Sequence, residues 1–271
     1  MLTREMNPHT PKSWEEAHMV AHNDKPLAGK VALITGAVRR SGRASALELA
    51  RHGAAVAINT RRSIDEAEAV KSELEALGVK AGMYLADVTE EQAVIDMVDA
   101  ISNELGAVDI LVNNAADRGR VPTLELSFEE WHRIVHIILD GAFLCTRAVL
   151  PHMIEQGWGR IVNISGVGNY VGYAERVHVH AGKGGLDAMT RSLSSEFCEK
   201  GITVNTVSVG LIGGERPASA GPHPKNVPNA APVGYMGEPT DIANAVNFLC
   251  QPASRFITGQ MLHVNGGEYM A

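Results

Sequence analysis

The sequence predicts one α/β domain, a doubly wound parallel sheet covered by helices on both faces, and three observations carry that expectation. Val31 to Arg51 (VALITGAVRRSGRASALELAR) reads as a buried apolar strand, a glycine turn at Thr35-Gly36-Ala37, and a helix on which Ala44, Ala46, Leu47 and Ala50 return at helical spacing. Strand and helix patterns then alternate to the end of the chain, the signature of a parallel sheet with right-handed crossovers. With 271 residues, 45% of them hydrophobic, the chain can bury a substantial single core.

The elements follow in order. Residues 1–29, rich in Pro, His and charge, are expected to be an N-terminal extension. The domain proper covers 30–271. Ala55 to Ile58 reads as a second strand, and Ile64, Ala67, Val70, Leu74 and Leu77 as a helical stripe. Ala81 to Leu85 is the third strand; Val94, Met97, Val98, Ile101 and Leu105 make the next stripe, and Val108 to Val112 the fourth strand. A long helix is expected over 127–153, a fifth strand over Arg160 to Ile164, a helix over 179–200 and a sixth strand over Thr203 to Val207. A short helix over Asp241 to Leu249 and a strand over Met261 to Val264 close the chain. Between the sixth strand and that short helix, Gly210 to Gly237, heavy in Gly, Pro and Asn, is too long for a plain connection and is expected to be a lid, with Arg216, His223 and Lys225 as its candidate anion-holding groups. Ligands of such sheets sit at the carboxyl ends of the strands.

Charge and composition exclude several classes. A net charge of −7 with pI ≈ 5.9 argues against a nucleic-acid surface. No apolar run reads as a membrane span, and no signal-peptide core is visible at the N-terminus, so a cytoplasmic protein is expected. Cys145, Cys198 and Cys250 have no metal or redox spacing, and no metal site is expected.

The turn after the first strand aims helix N-terminal N–H groups at one point, which suits a phosphate. Together with TGAVRRSG (35–42), Asp87-Val88, NNAA (113–116), FLCTRAVLP (143–151), GRIVNIS (159–165), KGGLDAMTRSLSSE (183–196), GITVNTVSVGLI (201–212) and ITGQMLHVNGG (257–267), in order and at family spacing, it resembles the classical short-chain dehydrogenase/reductases. The resemblance implies a Rossmann-like fold, a nicotinamide cofactor, a small-molecule substrate and a homotetramer or homodimer built on the helices at 127–153 and 179–200.

It also implies site residues. NAD-binding members place an acid at the end of the second strand; here Thr60 stands there, followed by Arg61, Arg62 and Ser63, and Arg40 makes a TGxxxRxG turn similar to that of pteridine reductases. Guanidinium groups match phosphate geometry, so NADP(H) is the expected cofactor. Its expected contacts are Gly36, Val38, Arg39, Arg40 and Ser41 at the turn, Asp87 and Val88 at the adenine, Asn113 and Ala115 along the channel, and Lys183 and Ile212 further on.

At the catalytic positions the chain departs from the family pattern. Lys183 is present, but four residues earlier stands Val179 in place of the proton-donating tyrosine. The serine position falls on Gly166, with Ser165 one residue early and expected to point the other way. The asparagine position falls on Ile138, and the tyrosine of the enoyl-reductase variant on Arg176. His180, three residues before Lys183, and Tyr173 are the candidate substitutes; helical spacing also brings Arg176 to the lysine's face and sets His178 about 140° away, while Tyr170, Asp117 and Arg118 are expected near the rim. An alternative expectation for His178 and His180 is packing at a subunit interface. An NADP(H)-dependent reductase with an unusual proton donor is the leading reading. A non-redox enzyme of the same fold, such as a lyase, a dehalogenating or an isomerising catalyst, and a silent nucleotide-binding subunit are its alternatives.

Overall fold

The computed structural model describes residues 25–214 and 231–271. Most of the expected N-terminal extension, and the part of the expected lid that carries Arg216, His223 and Lys225, lie outside the described residues.

Seven strands form one parallel sheet in the order β3-β2-β1-β4-β5-β6-β7. They are β1 Val31–Ile34, β2 Ala55–Thr60, β3 Ala81–Leu85, β4 Ile110–Asn113, β5 Gly159–Gly166, β6 Ile202–Val209 and β7 Met261–Val264. Sequence order reverses between β1 and β4, so a crevice opens there at the carboxyl edge. The helices are α1 Arg40–Arg51, α2 Ile64–Ala76, α3 Glu91–Glu104, α4 Phe128–Val135, α5 Gly141–Gln156, α6 Gly168–Val171, α7 Val177–Phe197 and α8 Pro239–Cys250.

Strand alternation divides the core into two layers. Ala32 and Ile34 face α1, α2 and α8 through Leu49, Ala50, Val70, Leu74 and Val246. Val31 and Leu33 face α3 and α5 through Val98, Ile101, Val149 and Met153. A third, smaller cluster of Ile134, Ile138, Ala142, Val179 and Leu186 packs α4, α5 and α7 together.

Element boundaries differ from expectation in a few places. β2 runs two residues further, because the Asn59 amide donates to the carbonyls of Tyr84 (3.3 Å) and Ala86 (3.1 Å) and holds the strand against β3. β4 starts at Ile110 rather than Val108; Asp109 instead accepts from Lys30 Nζ at 2.8 Å and from the Val31 N–H at 3.0 Å. The expected long helix is continuous over Phe128–Gln156 but is interrupted by a π-helical turn, His136–Asp140, where an extra residue is accommodated. This run also corrects the membrane reading of the sequence. It is long and apolar enough to cross a bilayer by length and composition, yet one side of it packs against α3, α7, β4 and β5 of the domain.

Candidate active site

The site grows from the turn between β1 and α1. Thr35 accepts from the N–H groups of Asn114 and Ala115, both at 3.0 Å, and so ties β1 to the segment after β4. Gly36 has φ +61°, a left-handed turn that favours glycine, and a Cβ on it would stand 3.1 Å from Ala115 Cα. At Gly42 a Cβ would come within 2.6 Å of both the Gly36 carbonyl and Asn114 Nδ2. Asn114 Nδ2 donates to the carbonyls of Thr35 and Gly36, each at 2.9 Å. The first turn of α1 holds no acidic residue, and its N-cap Arg39 makes no side-chain cap, so the helix N-terminus faces the crevice with its N–H groups uncapped by side chains. This glycine cradle under an open helix end fits a dinucleotide pyrophosphate.

Gly36, Val38, Arg39, Arg40, Ser41 and Ala115 line a groove of ≈ 1030 Å³ that continues to Ser165 and Lys183. It opens into a cavity of ≈ 150 Å³ whose walls include Val179, His180, Tyr173, Ile212 and Glu268; Arg40, Arg118, Ser165 and Lys183 border both spaces. The expected turn residues, Lys183, His180, Tyr173 and Ile212 are therefore brought to one continuous site.

The remaining expected residues sit around it. Thr60 is buried at the end of β2 and its Oγ1 accepts from the Ser63 N–H at 3.3 Å, shaping the exposed Arg61-Arg62 turn. Arg61 reaches Asp87 Oδ2 at 3.4 Å, and Arg39 pairs with Glu66. Burial pushes the Asp87 carboxyl up, but Thr89 and Arg61 outweigh it and hold the group below its ordinary range. Val88 is buried against Gly141.

Three expectations need correction. The Asn113 side chain does not line the channel: it donates to Asn163 Oδ1 at 2.9 Å and to Thr146 Oγ1 at 3.2 Å inside the core, while Asn114, one residue on, meets the groove. Ser165 does not turn away; it borders both spaces, and its Oγ accepts from Asn169 Nδ2 at 3.0 Å. The Arg40 guanidinium is directed across the crevice, donating to the carbonyls of Ile212 (3.0 Å) and Gly214 (3.3 Å).

His178 is fully buried within the chain beside Gly119 and borders neither space, whereas His180 faces the cavity. Tyr170 donates to Asp187 at 2.9 Å and stacks on Tyr269, their centroids 4.8 Å apart, and borders neither space. Asp117 accepts from Arg133 at 2.7 Å at the groove wall.

Lys183 is buried and donates to the Ile164 carbonyl at the end of β5. Burial first, and then Arg118, push its ammonium down to about 7, with Asp187 opposing. Burial and Arg176 also hold the His180 imidazolium below its ordinary value. No motif in the sequence singles out Glu268 as a site residue. The one available signal was its position just past the carboxyl end of β7, where ligands of such sheets bind.

Comparison with known proteins agrees with this geometry. The family described as Enoyl-(Acyl carrier protein) reductase matches residues 36–268. The chain is 37% identical over 242 residues to the 3-oxoacyl-(acyl-carrier-protein) reductase FabG of Staphylococcus epidermidis, covering 89% of this chain and 99% of that one. It is 38% identical over 245 residues to FabG of Aquifex aeolicus, covering 90% and 98%. Likeness at this level from the phosphate cradle to the last strand admits one reading, and the chain belongs to the short-chain dehydrogenase/reductase family of oxidoreductases.

Proposed function

We propose that the protein is an NADP(H)-dependent reductase of small carbonyl or imine compounds, working without the tyrosine and serine its family ordinarily uses. The observation that carries this reading is the groove, which leads from the glycine cradle to Lys183 and opens directly into a separate small cavity. In it the backbone around Gly36, Val38, Arg39, Arg40 and Ser41 holds the pyrophosphate. Arg39, Arg61 and Arg62, with Thr60 and Ser63, meet the 2′-phosphate. Asp87 and Val88 flank the adenine, the backbone of Asn113 and Ala115 borders the channel, and Lys183 and Ile212 meet the nicotinamide end. The bound cofactor supplies the hydride.

The apolar cluster supports the unusual catalytic arrangement. Val179 and Ile138 stand where a tyrosine and an asparagine are expected, and both are buried in one hydrophobic contact set. Such surroundings have no use for a proton wire through those positions. Tyr173 and His180, both on the cavity wall, are placed to handle the substrate proton.

The names of the relatives make a 3-oxoacyl thioester the first substrate to try. The turn Arg39-Arg40 extends the likeness to pteridine reductases, and the family resemblance extends to a cytoplasmic homodimer or homotetramer. Fluorescence titration of the purified protein with NADPH and NADH tests the cofactor, followed by NADPH oxidation with 3-oxoacyl thioesters, ketones and imines. Tight binding of NADPH with oxidation by any of these upholds the reading; failure to bind either dinucleotide sinks it.

A further inference from the structure

Among the described residues, one carboxyl group lines the small cavity, that of Glu268. Tyr173 Oη donates to its Oε1, and the Leu211 N–H donates to its Oε2 at 3.0 Å. Gly210 leaves room for this approach, since a Cβ there would stand 2.9 Å from Oε2. Segments following β5, β6 and β7 thus converge on one carboxyl at the wall of the cavity that also holds Val179, His180 and Lys183.

Resting on the reductase reading above, we propose that Glu268 and Tyr173 form a two-member proton relay that serves the substrate oxygen. When Glu268 is protonated, its O–H donates to Tyr173 Oη and leaves the phenolic proton free to point into the cavity. As hydride from the reduced nicotinamide adds to the substrate carbonyl carbon, the C=O π pair moves onto oxygen. The phenolic O–H breaks, a new O–H forms on the substrate, and the Glu268 proton passes to the phenolate oxygen. The relay ends as a neutral tyrosine donating to a carboxylate, which is the arrangement the structure holds. A solvent proton reloads Glu268.

The surroundings favour this carboxyl as the proton store. Among the described residues, the other titratable or charged groups on the cavity are Arg40, Arg118, Arg176, His180, Lys183 and Tyr173. Burial makes His180 and Lys183 release their protons more readily than usual. Burial acts on Glu268 in the opposite sense, raising its carboxyl above the ordinary range against the pull of the Leu211 N–H.

The test pairs infrared difference spectroscopy with turnover of acetoacetyl-CoA and NADPH, comparing the wild type with Glu268→Gln and Tyr173→Phe between about pH 5 and 8. The relay predicts a protonated-carboxyl stretch in the wild type that persists above the usual glutamic acid range, vanishes in Glu268→Gln and shifts in Tyr173→Phe. It also predicts that kcat falls about 100-fold in both variants while NADPH affinity holds, and that Glu268→Gln loses the decline of kcat with rising pH. Absence of the stretch, or a Glu268→Gln enzyme within about threefold of wild-type kcat with an unchanged pH profile, overturns the relay. A wild type that oxidises NADPH with none of the 3-oxoacyl thioesters, ketones and imines overturns the reductase reading instead, and the infrared band then decides the protonation of Glu268 by itself.

Discussion

Arg40 Nη2 lies 3.0 Å from the carbonyl of Ile212, a contact that joins the first turn of α1 to the segment leaving β6 across 172 residues of sequence. A second bond reaches Gly214 at 3.3 Å, and the Gly213 N–H closes onto the Gly237 carbonyl at 2.8 Å. The guanidinium therefore braces the wall shared by the groove and the cavity. Arg40 adopts φ +48°, a left-handed backbone that is uncommon for a side-chain-bearing residue, and this turn helps carry the side chain across the crevice.

Replacing this brace should loosen the wall and leave cofactor choice alone. Arg40→Ala is expected to speed amide exchange at 211–214 and 237 by about tenfold, through the loss of both guanidinium hydrogen bonds to Ile212 and Gly214. The NADPH to NADH affinity ratio should stay within about twofold, because the side chain is committed to carbonyls. A collapse of that ratio would return Arg40 to the 2′-phosphate.

Cofactor choice is expected to rest on Arg39 and Arg61. Their acidic partners, Glu66 and Asp87, hold both cations on the β2 side of the groove. Arg61→Ala should weaken NADPH binding by about tenfold, equivalent to about 1.4 kcal/mol, with NADH affinity little changed. Equal losses for the two dinucleotides would place Arg61 outside the phosphate contact.

Lys183 makes stability depend on pH. Its ammonium sits at about 7 in the fold against 10.5 ordinarily. Below the folded value both states carry the proton and the cost of burying the charge is fully present. Between about 7 and 10.5 the unfolded chain binds more protons, so stability rises with pH across that window, by at most about 1.4 kcal/mol per pH unit. Urea melts of the cofactor-free protein should show this rise, and Lys183→Met should flatten it.

The apolar cluster at Ile138 and Val179 gives opposite expectations for two changes. Ile138→Asn puts an amide among Ile134, Ala142 and Leu186 with no polar partner in that cluster, and should lower stability by about 1–3 kcal/mol by denaturant midpoint. Val179→Tyr with Gly166→Ser instead points polar groups into the cavity both residues border, and should raise NADPH-dependent ketone reduction by about 100-fold. An unchanged rate would show that the pocket wall, and not only the relay, has been rebuilt.

Sequence periodicity was sufficient for the sheet, because buried strands and amphipathic helices are local patterns. Val31–Ile34, Ala81–Leu85 and Met261–Val264 appear with the boundaries read from the residues alone. The glycine cradle was legible for the same reason: Gly36 and Gly42 stand six residues apart on one turn. Harder to read was the direction of single side chains at strand ends. Asn113 and Asn114 differ by one position, and alternation sends the first into the core and the second to the groove. Ser165 escapes the same rule, because it stands one residue before β5 ends at Gly166 and the chain turns into α6.

The chain by itself determined the α/β architecture, the family, the phosphate cradle, the presence of Lys183 and the absence of a tyrosine four residues before it, all of them properties of neighbours in sequence. Tertiary structure alone decided what meets what across the crevice. It turned Arg40 to Ile212, buried His178 while leaving His180 on the cavity, and set Glu268 against Tyr173 across 95 residues of chain. These pairings depend on where seven strands end in one sheet, and no local periodicity encodes that distance.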